Sequence, residues 1–305
     1  MKKIRKILVV SILALGTFIV TSCADEYLDV PVRDQVSSNY FNNEGKVQRG
    51  IGGIYAELAN IYSANLGTGY IGRGITIHPY WLLQGDDLTN SGNTNAAYEA
   101  FSGFSAGDDR NAMMWQRYYI IVNRSNFMLE QIEVSADVYE TDGLKDFNRG
   151  EALFMRAWAH MKIWERWRRG PLVNEWIKSL ETAANPPSDG FEMLDAAIED
   201  LEEAATLLPD SWDIINKGRV FKNSAYGLLV KAYVLRANHA DNYAGGDRSG
   251  DYGRAITAFE SIDGSENTIV GVHFGENFDY RTENNPESLF EFQASINNSE
   301  NPWLD

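Results

Sequence analysis

Apolar residues recur at spacings of three and four in six segments of the chain, which predicts six amphipathic helices. Their apolar stripes fall within residues 44–62, 115–132, 153–164, 191–208, 221–235 and 252–262. The fourth stripe is followed by Pro209, which cannot continue a helix. Strands and helices do not alternate anywhere along the chain. The predicted fold class is therefore mainly α, with minor β.

Two of these helices carry the spacing of a tetratricopeptide repeat, in which small residues allow close approach and a large one fills the gap. The matching positions are Ala197, Leu201, Ala204 and Pro209 in the fourth helix, and Ala255, Phe259 and Ile262 in the sixth. Two matched units are fewer than the three that a free-standing solenoid needs. The pattern therefore predicts a tetratricopeptide-like helical-repeat scaffold with insertions, in which Tyr252, Ala255 and Phe259 point inward.

The longest insertion spans Asn65–Arg110, which is rich in glycine and asparagine but also contains aromatic residues. A loop of this length without structure of its own is uncommon unless it is functional or disordered. Its aromatic residues argue against disorder. We therefore expect a long irregular loop that faces a ligand.

Charge and composition narrow the choice of partner. The chain of 305 residues has 43 acidic and 27 basic side chains, for a net charge of −16. Such a surplus repels polyanions, which excludes nucleic acid as a partner. A content of 44% hydrophobic and 12% aromatic residues is ample for a core, which excludes global disorder.

The N-terminus has the pattern of an export signal. Four basic residues within positions 2–6 precede an apolar stretch at 7–20, which is too short for a membrane-spanning helix but suits a signal peptide. Thr21, Ser22 and Cys23, the only cysteine, resemble a bacterial lipobox. We predict a lipoprotein signal peptide at 1–22, a lipid attached to Cys23 and one domain over 23–305. An ordinary secretory signal with an incidental cysteine is the alternative.

Two short motifs match catalytic patterns without their structural context. Gly67–Gly72 matches the dinucleotide fingerprint, which must follow a strand and open a helix, yet it follows a helical stripe here. Gly103–Gly107 matches a nucleophile elbow, which needs an α/β sheet. The four histidines are scattered, so a zinc site is not indicated. No catalytic residues, metal site or cofactor are predicted.

Adjacent acidic residues leave one weak alternative open. Asp86–Asp87 and Asp108–Asp109 have the chemistry of a structural calcium site or of a glycosidase carboxylate pair. In a chain with 43 acidic residues, however, such pairs arise easily and usually only solvate a surface.

The segment Gly150–His160, followed by Trp167 and Gly170–Leu172, resembles the signature of the SusD/RagB family of outer-membrane nutrient-binding lipoproteins. Further blocks follow in the family's order: Tyr27–Asp29, Gly53–Tyr55, Trp115–Asn123, Ile198–Pro209, Gly218–Tyr233 and Asn285–Phe292. The last of these resembles a strand of the family. Family members are usually longer, so the resemblance also implies that the family's C-terminal part is missing.

The resemblance implies a glycan-binding lipoprotein without enzymatic activity, on the cell-surface side of the outer membrane. Its helices would face a TonB-dependent, SusC-like transporter and its loops the glycan. There are two alternatives: a carbohydrate-active hydrolase and a tetratricopeptide interaction scaffold without a small ligand. The net negative charge suits neutral or basic sugars rather than anionic ones.

Candidate ligand residues come from the long loop and the C-terminal end, because sugars stack on aromatic rings and bond to polar side chains. The predicted stacking rings are Tyr80, Trp81 and Tyr98, the hydroxyl partners are Asp87 and Asn90, and Trp303 is a platform beside the strand. For each ring, packing beneath its own loop is the alternative.

Overall fold

The computed structural model describes residues 40–62, 83, 85, 89, 96–102, 109–179, 185–262 and 272–293. The chain divides into two compact units, 1–42 and 43–305, and the first is described only at residues 40–42. The described part of the second unit has seven α-helices: α1 Glu44–Tyr62, α2 Ala96–Glu99, α3 Asp109–Val134, α4 Leu144–Trp167, α5 Glu192–Leu207, α6 Lys222–Asn238 and α7 Arg248–Glu260. Short 3-10 turns lie at Ala136–Val138, Phe274–Phe278 and Tyr280–Thr282.

The longer helices stack in chain order. From α4 to α7, each helix packs on the one before it, while α1 packs against α3 and α4. This neighbour-on-neighbour arrangement is that of a helical-repeat scaffold, so the mainly α, tetratricopeptide-like prediction is confirmed. Within the described residues, none of the helices is long and apolar enough to cross a membrane.

The core lies around α4, whose buried residues cover most of the circumference of its middle turns. Phe154, Met155 and Trp164 are at most 2% exposed. A helix that is buried on nearly all sides must be enclosed by neighbours, and α1, α3 and α5 all contact it. The predicted close approach of α5 also holds, since Ala197 and Ala204 are fully buried.

The orientation predicted for α7 is wrong in part. Tyr252 is 37% and Phe259 51% exposed, whereas Ala255 and Ala258 are buried. These alanines lie on the face that packs against α6, where their small side chains let the two helix backbones approach closely. Helical periodicity identified a stripe but not how far around the helix the contact extends.

The block at 285–292 does not form a strand. The described residues there are turns and irregular backbone, and the β-pairing present in the described chain is an isolated bridge between Pro171 and Pro187. A strand needs a partner ladder, and none of the described segments offers one. The segment is held by α6 instead, because the Ser224 hydroxyl donates to the Leu289 carbonyl.

Candidate ligand-binding site

Most of the predicted ligand residues lie outside the described residues: Tyr80, Trp81, Asp87, Asn90 and Trp303. The acidic residues Asp86, Asp87 and Asp108 do too, as do Cys23 and the segment 1–22. Among the described residues, no group of three acidic, histidine or cysteine side chains is placed to hold a metal ion.

Tyr98 is the one predicted ligand residue whose side chain is described. It lies on the four-residue helix α2 and is only 2% exposed. A ring that stacks on a sugar must present an open face, so this burial weighs against a stacking role and favours packing beneath the loop. Its role in ligand binding stays a prediction.

Aromatic side chains cluster where α3 meets the end of α4. The Trp115 ring lies 4.9 Å from the Tyr119 ring and 5.1 Å from the Trp167 ring, the latter edge to face. The Tyr119 hydroxyl donates to the Pro171 carbonyl at 2.8 Å. Gly170 passes so close that an added Cβ would lie 2.6 Å from that hydroxyl. These rings pack against one another and position the segment after α4.

A cavity of about 600 Å³ opens between α1, the end of the α5–α6 loop and the segment 290–293. We call it the α1 groove. Its walls combine apolar and polar side chains, including Ile51, Leu58, Tyr55, Arg219 and Phe290. The volume lies within the roughly 300–1,000 Å³ of typical small-molecule sites, so the groove is large enough to admit a ligand.

The inner wall of the groove rests on the fully buried carboxylate of Glu151, on α4. This carboxylate accepts from the Tyr55 hydroxyl at 2.8 Å, from Nε of Arg219 at 2.7 Å and from Nδ2 of Asn148 at 3.1 Å. The Tyr55 oxygen in turn accepts from the backbone N–H of Val220 at 3.0 Å. A buried charge needs such partners, and the network joins α1, α4 and the start of α6.

Burial governs how these groups titrate. Desolvation raises the pKa of Tyr55 well above its ordinary value, and the Glu151 charge raises it further. Desolvation lowers the pKa of Arg219, but its bonds to Glu151 more than offset this, so that pKa is raised. The guanidinium also lies over the Trp212 ring, 4.2 Å from its centroid. The phenol therefore stays a donor and the guanidinium stays charged.

The outer wall depends on a glycine. Gly218 has a φ of +95°, which side-chain-bearing residues rarely adopt, and an added Cβ would lie 2.4 Å from Cδ of Gln293. Gln293 is held by Asn284, since the two amides exchange hydrogen bonds at 2.8 and 3.0 Å. The positive φ favours glycine at position 218, and the side chain of Gln293 occupies the space that a Cβ would take.

Sequence reasoning missed this groove, although three of its residues, Tyr55, Arg219 and Phe290, stand inside family-like blocks. Val220 lies 165 positions after its partner Tyr55, and no local pattern connects residues so far apart. The available signals were a glycine followed by arginine at 218–219 and an acidic residue, Glu151, next to the apolar run 152–155.

Comparison with known proteins identifies the family to which this fold belongs. Residues 26–234 match the model of the SusD-like family, whose description is "Starch-binding associating with outer membrane". The chain belongs to the SusD-like family. The comparison with curated proteins gives no match.

Solved structures share the fold of this SusD-like chain at low identity. A SusD superfamily protein from Bacteroides vulgatus is 22% identical, with a TM-score of 0.65, and the match covers 82% of this chain and 50% of the Bacteroides vulgatus chain. Surface glycan-binding protein A from Bacteroides uniformis is 17% identical with a TM-score of 0.64, covering 81% and 52%. A SusD-like protein from Bacteroides fragilis is 18% identical with a TM-score of 0.59, covering 87% and 48%. The chain thus spans about half the length of these structures.

The signature segment of the SusD-like resemblance, Gly150–His160, is structural. An added Cβ at Gly150 would lie 2.9 Å from Cγ of Leu208, so the glycine allows α4 to contact the end of α5. His160 is fully buried, and neither of its ring nitrogens has a hydrogen-bond partner in the described structure. Burial together with the nearby charge of Arg156 lowers its pKa to about 3.

Arg156, in the same segment, is the centre of a second buried network. Its Nε and Nη2 donate to the Asp200 carboxylate at 2.8 and 2.6 Å, and its Nη1 donates to Oδ1 of Asn126 at 2.7 Å. The Asn126 amide then donates to the Val173 carbonyl at 2.8 Å. These bonds join α3, α4, α5 and the segment after α4, so the signature identifies the scaffold and not the ligand site.

Proposed function

We propose that this protein is a cell-surface lipoprotein of the outer membrane that binds an oligo- or polysaccharide and delivers it to a SusC-like, TonB-dependent transporter. The observation that carries the proposal is the family match over residues 26–234, with its description of starch binding and association with the outer membrane. The proposed activity is binding without hydrolysis.

The names of similar structures support a glycan as the ligand class. They include a laminarin-binding SusD-like protein, a structure with a xylogluco-oligosaccharide and the surface glycan-binding protein from Bacteroides uniformis. Their sugars differ, so the class is supported rather than one glycan. Because the chain spans about half of each of these structures, its ligand and its transporter are both proposals.

The proposed glycan contacts are the aromatic and polar residues of the long loop. Trp81 and Tyr80 would stack on the C–H faces of a sugar, while Asp87 and Asn90 would bond to its hydroxyls. Trp303 would add a platform at the C-terminal end. The stacked helices leave this loop as an insertion between α1 and α3, which suits a ligand-facing element on a rigid scaffold.

The membrane attachment rests on Cys23. Acyl chains contribute roughly 0.8 kcal/mol per buried methylene, and more than one chain makes attachment stable. We therefore expect wild-type protein in the outer-membrane fraction and the Cys23→Ser variant in the soluble fraction. Continued fractionation of that variant with membranes would overturn the lipid anchor.

A glycan array probed with the protein and its Trp81→Ala variant tests the function. We expect binding to one class of glycan, at least a tenfold loss for the variant and no change in melting temperature. The matched control is Trp176→Ala, since the Trp176 ring packs on the Phe127 ring, with centroids 4.9 Å apart, and Trp176 is not among the proposed glycan contacts. This control should bind normally.

Three other outcomes would overturn parts of the proposal. Sugar products released during incubation with a bound glycan would indicate a hydrolase. An array without any hit would favour a protein-interaction scaffold. A lower melting temperature with normal affinity in Trp81→Ala would place that ring in the core.

A further inference from the structure

The basic side chains of this acidic protein are almost all engaged. The described lysines and arginines form ion pairs or hydrogen bonds throughout the scaffold, as Arg156 does with Asp200. Among the basic side chains that the structure describes, two form no such contact, and both are exposed: Arg49 and Lys217. Both line the α1 groove. The groove therefore presents two cationic groups that no carboxylate of the described protein neutralises.

The other charges at the groove are engaged within the protein. Arg219 donates two of its N–H groups to the buried carboxylate of Glu151. The acid among the described lining residues, Glu291, accepts a backbone N–H at 2.9 Å, and Asp213, on the loop beside the lining, accepts the backbone N–H of Asn216 at 2.9 Å. The unpaired charges that the groove offers to a ligand are thus positive, in a chain whose net charge is −16. Such a cleft favours an anionic ligand.

Phe290 provides an aromatic wall. Its ring lies edge to face on the Phe154 ring, with centroids 5.5 Å apart, and 6.5 Å from the Tyr55 ring. The Phe290 side chain is nevertheless partly exposed and lines the groove. Sugars present apolar C–H faces that lie on aromatic rings. A ring that is already held in place suits this contact, because little side-chain freedom is lost on binding.

Gly52 keeps the α1 side of the groove open. It is exposed and lines the groove, and an added Cβ would meet nothing within 4 Å. A glycine inside a helix is less stable than almost any other residue, and no packing neighbour requires one at this position. The missing side chain leaves its space to a ligand.

We propose that the α1 groove binds an anionic sugar residue, one that carries a carboxylate or sulfate group. The anionic group pairs with Arg49 and Lys217, while a C–H face of the sugar ring lies on Phe290. This site depends on the proposed glycan binding and gives its ligand a chemical class. The net charge of the whole chain favours neutral or basic sugars, but the charges that face the ligand decide the preference of a single site. The contacts are additional to those proposed in the long loop.

Oligogalacturonate and its fully methyl-esterified form are matched probes, because they differ in charge on the same sugar ring. Anisotropy titrations with the full chain and a fluorescent label at the reducing end should show at least tenfold tighter binding of the acidic form. The affinity should fall as salt is raised, because the ion pairs lie at the surface. A sulfated oligosaccharide of the heparin type, titrated in parallel, shows which of the two anionic groups the groove prefers.

Charge reversal separates recognition from folding. The variant Arg49→Glu with Lys217→Glu should lose at least tenfold in affinity for oligogalacturonate. It should also gain affinity for oligoglucosamine, whose amino groups are protonated in mildly acidic buffer, and a folding defect cannot produce that gain. The matched control is Arg169→Glu with Lys178→Glu, which makes the same charge change at exposed residues outside the groove. It should keep the wild-type preference.

Two neighbouring glycines of α1 provide a steric test. Gly52→Phe places a ring in the groove and should weaken oligogalacturonate binding at least tenfold. Its melting temperature should not fall, because phenylalanine is a better helix former than glycine. The matched control is Gly53→Phe, since an added Cβ there also meets nothing within 4 Å but Gly53 is not part of the groove lining. This control should bind normally.

Equal binding of the acidic and esterified forms would overturn the proposal, and so would unchanged affinity in the charge-reversed variant. Binding of neutral glycans alone on the array would overturn the anionic site and leave the proposed function in place. An array without any hit would overturn both.

Discussion

Two buried arginine networks differ in what lies beside them. Arg156 is enclosed between helices, its side chain 11% exposed, and its partners Asp200 and Asn126 belong to the scaffold. Arg219 is likewise paired with a buried acid, Glu151, yet its side chain is 18% exposed and lines the α1 groove. The first network closes the helical stack, whereas the second supports a surface that a ligand can reach.

The difference shows that a strong motif need not locate a binding site. The signature segment on α4 contributes to both networks, through Arg156 on one face and Glu151 on another. Both side chains bond to neighbouring elements and so help to hold α4 in the helical stack. The groove is also lined by Arg49, Lys217 and Ile215, which lie on other elements and carry no motif.

Asp200→Ala should have the largest effect on stability, because it leaves Arg156 charged and enclosed without its partner. Breaking a buried pair in this way costs about 4 kcal/mol in the free energy of unfolding, measured by urea denaturation. The control Glu203→Ala removes the partially exposed partner of Arg149 and should cost less than about 1 kcal/mol. A loss below that value for Asp200→Ala would mean that the closed network is not structural.

Glu151→Ala should cost somewhat less, about 3 kcal/mol, although Glu151 is itself fully buried. The reason is that Arg219 and Tyr55 line the groove, where water can replace part of the lost hydrogen bonding. The same urea series measures it. A loss greater than that of Asp200→Ala would contradict the open character of the groove network.

His160 makes the closed core sensitive to acid. Its pKa is about 3 in the folded state, against about 6.5 in the unfolded chain. Between these values the unfolded state binds the extra proton, so stability is present above pH 6.5 and is lost as the pH falls.

From pH 7 to pH 5, the wild type should lose about 2 kcal/mol more than His160→Leu does, at about 1.4 kcal/mol per pH unit. Urea unfolding at the two pH values measures the difference. Parallel losses in the two proteins would show that His160 is not protonated selectively in the unfolded state.

Gly218→Ala should have the smallest effect of the four. Gly245 is the matched control, because it also has a positive φ, of +79°, but an added Cβ there meets nothing within 4 Å. Backbone strain is common to both alanine variants, so the excess cost at position 218 reports the clash with Gln293. Because the clashing atoms lie at the end of the exposed Gln293 side chain, we expect an excess of no more than about 1 kcal/mol, from the loss of its bonds to Asn284. Equal costs would show that Gln293 moves aside without losing stability.

Helical periodicity predicted the scaffold closely. The stripe at 44–62 coincides with α1, and the other stripes lie on α3 to α7 within a few residues. On α7, however, the same reasoning placed Tyr252 and Phe259 inward although both are exposed. Periodicity reports the angle between residues, whereas the width of a contact depends on the neighbouring helix.

The ligand-binding site was harder to predict from the sequence than the helical scaffold. The predicted glycan contacts rest on residue type, aromatic rings for stacking and polar side chains for hydroxyl groups. Five of the six lie outside the described residues. For Tyr98, residue type did not reveal that the ring is buried. The groove could not be predicted because its walls come from residues near 50, 218 and 291.

By itself, the amino-acid sequence determined the helices, the acidic surface charge and the family, since these depend on local spacing, composition and residues within short segments. Tertiary structure alone decided which charges are compensated. Arg156 and Arg219 find acids on other elements, while Arg49 and Lys217 remain without such partners in the described protein. Electrostatic pairing acts over a few ångströms in space, and the chain must fold before distant charges come that close.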